Sequence, residues 1–220
     1  MEPISIISAR VIWILNTLDL NPKGVRLLPQ LTDALINAYD FDEPADEPRQ
    51  QPNTVKLKDG MFEKGGEGYR VGLEIFDDGF VADSSHSTEL TEEFLNHVVE
   101  WGKTNFRIKF SPDLVMRKAY FSEVAVRFHS QIATAIKPFT EFSSLLAKAM
   151  SSAAEADDFA LSALTFSTRI PIGNAAKALS IERRANTAPE ANIFYCKAPL
   201  PTQELLTLLA LFDDLLRAAA

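Results

Sequence analysis

Cysteine occurs once in 220 residues, histidine three times, and no apolar run reaches the length of a bilayer. The lone Cys196 leaves no intramolecular disulfide and no thiolate cluster for zinc. Its setting, Ile193-Phe194-Tyr195-Cys196, reads as a strand, where a single thiol is expected to act as a small hydrophobe in a reducing compartment. His86, His97 and His129 have no metal-like spacing to one another, so neither a metal site nor a cofactor is expected. The longest apolar stretch, Leu205 to Phe212, is broken by Thr207 and stops at Asp213, short of the roughly 20 residues a membrane span takes. Met1-Glu2-Pro3 puts an acidic residue where a secretory leader carries basic ones. The expectation is a cytoplasmic protein with no membrane contact.

Chemistry-bearing motifs are equally scarce. Gly65-Gly66-Glu67-Gly68 lacks the lysine and the following helix of a phosphate-binding loop and reads as a hairpin connection. Asp83, Ser84, Ser85, His86, Ser87 and Glu89 include every residue type of a hydrolase triad, yet so short a segment cannot bring them in from separate elements. Helix capping and loop hydrogen bonds account for them better.

What is present is ordinary globular composition, 46% apolar and 24% charged. The expected fold is α+β: a mostly antiparallel sheet packed by three amphipathic helices, with an N-terminal helical module. Ile7, Val11, Ile14, Leu15 and Leu18 are spaced as a helix. After the turn Asn21-Pro22-Lys23-Gly24, a second helix runs through Leu27, Leu31, Leu35 and Ala38, which makes residues 1–41 the module. Residues 42–53, with three prolines and many acidic and amide side chains, read as a linker. Residues 54–220 form the α+β body.

Within that body, Asp59-Gly60 reads as a hairpin turn between Val55–Lys58 and Met61-Phe62. Tyr69, Val71, Leu73 and Ile75 alternate as a half-buried strand, which Asp77-Asp78-Gly79 turns back. A helix capped by Ser87 or Thr88 presents Leu90, Phe94, Val98 and Trp101 and stops at Gly102. Tyr120, Val124, Val126 and Phe128 share one strand face. A helix through Ile132 to Ala149 must kink or restart at Pro138. Further strands are expected at Phe159–Phe166, Leu179–Ile181 and Ile193–Cys196. Strand followed by helix recurs three times, without a repeat distinct enough to name.

Three groups of residues are candidate sites. From Val71 to Gly102 there are eight acidic residues, Glu74, Asp77, Asp78, Asp83, Glu89, Glu92, Glu93 and Glu100, and no lysine or arginine, so this stretch alone matches the net charge of −8. It is either a solvated face or a docking face for a basic partner. In the last helix, Leu205, Leu208, Leu209, Phe212 and Leu216 belong to a leucine excess too wide for one stripe, which suits a central core helix or a helix interface. His129, Arg183, Arg184 and Tyr195 could line a polar pocket between sheet and helices.

The leading expectation is a non-catalytic accessory or adaptor protein working through a protein partner or self-association. Alternatives are a small-molecule binder or enzyme using the sheet–helix pocket, and an acidic decoy of a nucleic-acid-binding protein. A pI near 5.0 argues against direct nucleic-acid binding.

Overall fold

In the computed structural model of the chain, which describes residues 1–21, 28–42, 54–132, 137–150, 161–169 and 177–219, Glu2–Ile14 form a strand, β1. This corrects the helical reading of the first segment. Ala9, Val11, Trp13 and Leu15 are buried to 0 or 1% exposure with a period of two, whereas Ile7 and Leu18, on the supposed helical stripe, are 43% and 71% exposed. Val11 and Leu15 satisfy both periods. The β-branched Ile4, Ile6, Ile7, Val11, Ile12 and Ile14 decide for extended backbone.

The remaining elements are α1 (Leu28–Tyr39), β2 (Val55–Lys64), β3 (Glu67–Phe76), β4 (Gly79–Ser84), α2 (Thr88–Phe106), β5 (Arg117–Arg127), α3 (Lys137–Met150), β6 (Ala163–Ser167), β7 (Ala178–Arg183), β8 (Ile193–Ala198) and α4 (Thr202–Ala219). The fold is α+β, with an eight-stranded antiparallel sheet in the order β2-β3-β4-β1-β5-β8-β7-β6. The helices expected in the body are α2, α3 and α4, and α1 is the second helix expected near the N-terminus. Pro138 is the second residue of the described span of α3, and the residues just before it lie outside the described ones. Of the expected linker only Asp42 lies among the described residues, and its N–H donates to the Lys58 carbonyl at 3.1 Å. No described helix is long and apolar enough to cross a membrane.

Two glycines have roles other than those expected. Asp59-Gly60 is not a hairpin turn but an irregularity inside β2, where the pairing with β3 shifts between Leu57 and Gly60. A Cβ at Gly60 would collide with the Phe41 ring. The hairpin lies at Gly65-Gly66, both at positive φ, as a tight two-residue turn with right-handed strand twist requires. Gly102 does not stop α2, which runs on to Phe106 and ends with Arg107 in the left-handed conformation. Gly102 is buried because the Ile108 side chain closes onto it, 2.7 Å from where a Cβ would stand. The stripe of α2 is accordingly rotated from expectation. Leu95 and Val99 are buried with Phe94, while Leu90, Val98 and Trp101 are half-buried.

The chain divides into two compact units. The first comprises Ile7–Ser122 with Leu200–Thr202, and its core joins Val11, Trp13, Leu35, Tyr39, Phe41, Phe62, Leu73 and Phe94. The second comprises Met1–Ile6, Glu123–Pro199 and Gln203–Ala220, and in it Phe128 packs against Phe194 and Phe212 at ring distances of 5.7 and 5.8 Å.

Chain order reveals a duplication. A strand, a helix, a three-strand meander and a helix (β1 to α2) are followed by the same series again (β5 to α4). The helices α2 and α4 begin 114 residues apart, at Thr88 and Thr202, and β4 and β8 are related by the same offset. Their burial repeats with it. Thr88, Thr91, Leu95, Val99 and Gly102 are buried in α2, and Thr202, Leu205, Leu209, Asp213 and Leu216 at the matching positions of α4.

Candidate functional site

The acidic stretch does not form one face. Arg10 of β1 pairs with Asp83 of β4, which pairs with Gly72 of β3, while Glu74 faces Lys56 and Val81 in the same register. Glu74 and Asp83 thus share the sheet face opposite Leu73 and Ala82, whereas Glu89, Glu92, Glu93 and Glu100 ride on α2. Asp77 and Asp78 occupy the β3–β4 turn, where their carbonyls accept from Thr17 and Leu15 at 3.1 and 3.0 Å.

Lysines from outside the stretch reach back to it. Glu74 pairs with Lys56 at 3.7 Å, Glu92 with Lys118 at 2.6 Å, Glu93 with Lys64, and Glu100 with Lys103 at 2.6 Å. Tyr120 also donates to Glu92, at 3.0 Å. Burial pushes the Asp83 carboxyl above its ordinary value, and Arg10 pulls it partly back. The charge segregated in sequence is therefore largely compensated in space.

The four residues expected to share a polar pocket are distributed over three places. Arg183 lies over the Phe194 ring and Arg184 over Tyr195, each 5.8 Å from the centroid. Phe194 and Tyr195 are neighbours on β8, so the two stacks lie on opposite faces of the β7–β8 hairpin. His129 belongs elsewhere, beside Asp213 at 3.5 Å. An open groove of about 490 Å³ is instead lined by Asp19, Lys103, Ile108, Lys109, Phe110, Ser111 and Leu114, none of which is among the four.

Asp213 is the most enclosed charged group described, at 0% exposure. It accepts from the Met1 amine at 2.6 Å, from the Ser130 N–H at 3.0 Å and from the His129 N–H at 3.3 Å, with Arg217 3.5 Å away. Burial raises its pKa, but the amine and the two N–H groups outweigh that and hold the carboxyl below its ordinary value. Every neighbour here stabilises the carboxylate, which makes a structural lock.

The serine-rich loop is also accounted for by local bonding. Ser87 Oγ caps α2 by accepting from the Leu90 N–H at 3.2 Å, Ser84 and Thr91 hydroxyls meet at 2.8 Å, and Ser84 Oγ accepts from the His86 N–H at 3.1 Å. At the start of α4, Thr202 and Thr88 exchange hydrogen bonds, each hydroxyl accepting from the other's backbone N–H, at 3.0 and 2.8 Å. Among the described residues no three His, Cys, Asp or Glu side chains cluster as metal ligands do.

The leucine-rich helix separates into two stripes. Leu205, Leu209 and Leu216 are in the core, at 0, 0 and 5% exposure, and Phe212 meets Phe128 and Phe166 edge-to-face. Leu208 is 46% exposed, and with it Leu211 and Leu215, at 55% and 69%, form an outer apolar stripe. Leu211 and Leu215 were not among the expected interface residues, although their spacing of three and seven from Leu208 carries the signal. The matching positions on α2 are Phe94, His97 and Trp101, and there Tyr39 of α1 lies over all three. Its ring centroid is 5.4, 5.7 and 6.2 Å from theirs, and its hydroxyl is 2.8 Å from His97 Nδ1. Phe94 and part of Trp101 are thus covered by the helix that precedes the meander, while His97 between them, though bonded to Tyr39, stays exposed.

Compared with known proteins, the chain matches no family model and no curated sequence.

Proposed function

We propose that this chain is a non-catalytic accessory or adaptor protein of a cytosolic assembly, acting through protein–protein contact, and that the outer stripe of α4 is its contact surface. The observation that carries the reading is the exposure of Leu208, Leu211 and Leu215 on a helix whose other stripe is already committed to the core. A soluble helix gains from one apolar stripe. A second, left in water, forgoes roughly 25 cal/mol for each Å² of apolar surface that a partner could cover.

The acidic residues support this reading less than the leucines do, because lysines of the same chain already pair with four of them. Replacing Leu211 and Leu215 by Glu places charges at open positions and leaves the core stripe intact. Protein retained from source lysate by the native chain and lost by this variant is the expected outcome. Strict monomericity in light scattering, together with no protein recovered above background, ends the proposal.

A further inference from the structure

Two apolar faces of the second unit stand open at once. On α4 they are Leu208, Leu211 and Leu215; on α3 they are Phe139, Phe142 and Leu145, at 40, 63 and 61% exposure. α3 holds the same place in the second series of elements as α1 does in the first, between the leading strand and the meander. In the first series those two helices cover one another's aromatic side chains. In the second, no described residue covers either face.

We propose that a second copy of this chain supplies the missing cover, with α3 of each copy lying along the outer stripe of α4 of the other. The inference rests on the contact-surface reading above and names the occupant. A reciprocal pair of contacts satisfies both faces of both chains through one two-fold operation, the commonest way for identical chains to associate. Size agrees as well. An aromatic side chain offers roughly 150–250 Å² and a leucine less, so the six half-open ones leave on the order of 500 Å² of apolar surface per copy. With the polar rim that accompanies an apolar centre, this approaches the ~800 Å² per partner of a standard interface.

The test introduces Leu145→Cys with Leu211→Cys into the full chain, leaving the buried Cys196 in place, and combines oxidative cross-linking with light scattering. The proposal expects twice the chain mass for the native protein and a disulfide between chains. It also expects a shift to single-chain mass for Leu208→Glu with Leu211→Glu, with helix content unchanged. A single-chain mass with the disulfide formed inside one chain overturns it, and the contact-surface reading with it, because α3 then covers α4 in the same molecule. A single-chain mass with no disulfide and a freely alkylated Cys at position 211 overturns self-association alone and leaves the stripe open to a different protein.

Discussion

Burial at single side chains decides most of the chemistry available to this chain. Cys196 is wholly enclosed in β8, and burial pushes its thiol up to about 12, so almost none is thiolate at neutral pH. Iodoacetamide is expected to leave native protein unlabelled and to modify it fully once unfolded. Labelling of the native chain at the rate of a free thiol contradicts the enclosed strand position. Asp213 gives a prediction in pH. Its folded pKa lies below the unfolded value of about 3.9. Its contribution is therefore complete above pH ~4 and disappears as pH falls through the folded value. Asp213→Asn is expected to cost about 3 kcal/mol at pH 7, the scale for breaking a buried pair, and to flatten the acid limb of a stability–pH curve. An unchanged acid limb would assign that limb to other carboxylates.

Among the elements, the paired starts of α2 and α4 offer the sharpest test. Thr88 and Thr202 each satisfy the other's helix-start N–H, and the Ser122 hydroxyl lies 3.0 Å from that of Thr202. Thr202→Val leaves a buried donor without its acceptor and should cost about 2 kcal/mol. Thr88→Val should behave alike. In chemical denaturation each single variant reports one of the two backbone-to-hydroxyl bonds, and any departure from additivity in the double variant reports the 3.3 Å contact between the two hydroxyls; single variants as stable as the native chain would show that the exchange contributes nothing.

The elements also show what could be read from sequence. Most of the strands and helices of the body were legible because their apolar periods are unambiguous, as in Tyr69 to Ile75. β1 was not, since Val11 and Leu15 fit two periods and their helical spacing hides the extended preference of the β-branched residues from Ile4 to Ile14, which pairing with β4 completes. The turn-like Asp59-Gly60 was misread because the reason for its glycine, the ring of Phe41, lies 19 residues away in sequence. For the candidate site, the excess of leucine on α4 was visible, but which leucines face outward was not. The duplication escaped because matching positions share burial more than identity: Thr88 and Leu95 answer to Thr202 and Leu209, but Thr91 answers to Leu205, Val99 to Asp213 and Gly102 to Leu216.

For the molecule as a whole, the acidic stretch from Val71 to Gly102 is largely neutralised by cations from flanking segments, so net charge overstates the local field. The pairs at Glu93 and Glu100 are exposed and individually contribute less than ~1 kcal/mol. Raising sodium chloride from about 0.05 to about 0.5 M, which shortens the screening length several-fold, should move the melting temperature by less than about 3 °C. A steep rise would reveal uncompensated repulsion among the carboxylates.

The uneven finish of the two series also fixes how many neighbours one molecule can hold. Where Tyr39 closes over α2, that position is used up internally; where Leu208, Leu211 and Leu215 remain, one is left. In the reciprocal pair proposed above, α3 of each copy fills that place on the other, so both open faces of both chains are consumed together. A pair closed in this way should hold at two chains whatever the concentration, whereas a one-way contact of α3 on α4 would leave a free face at each end and grow into a filament.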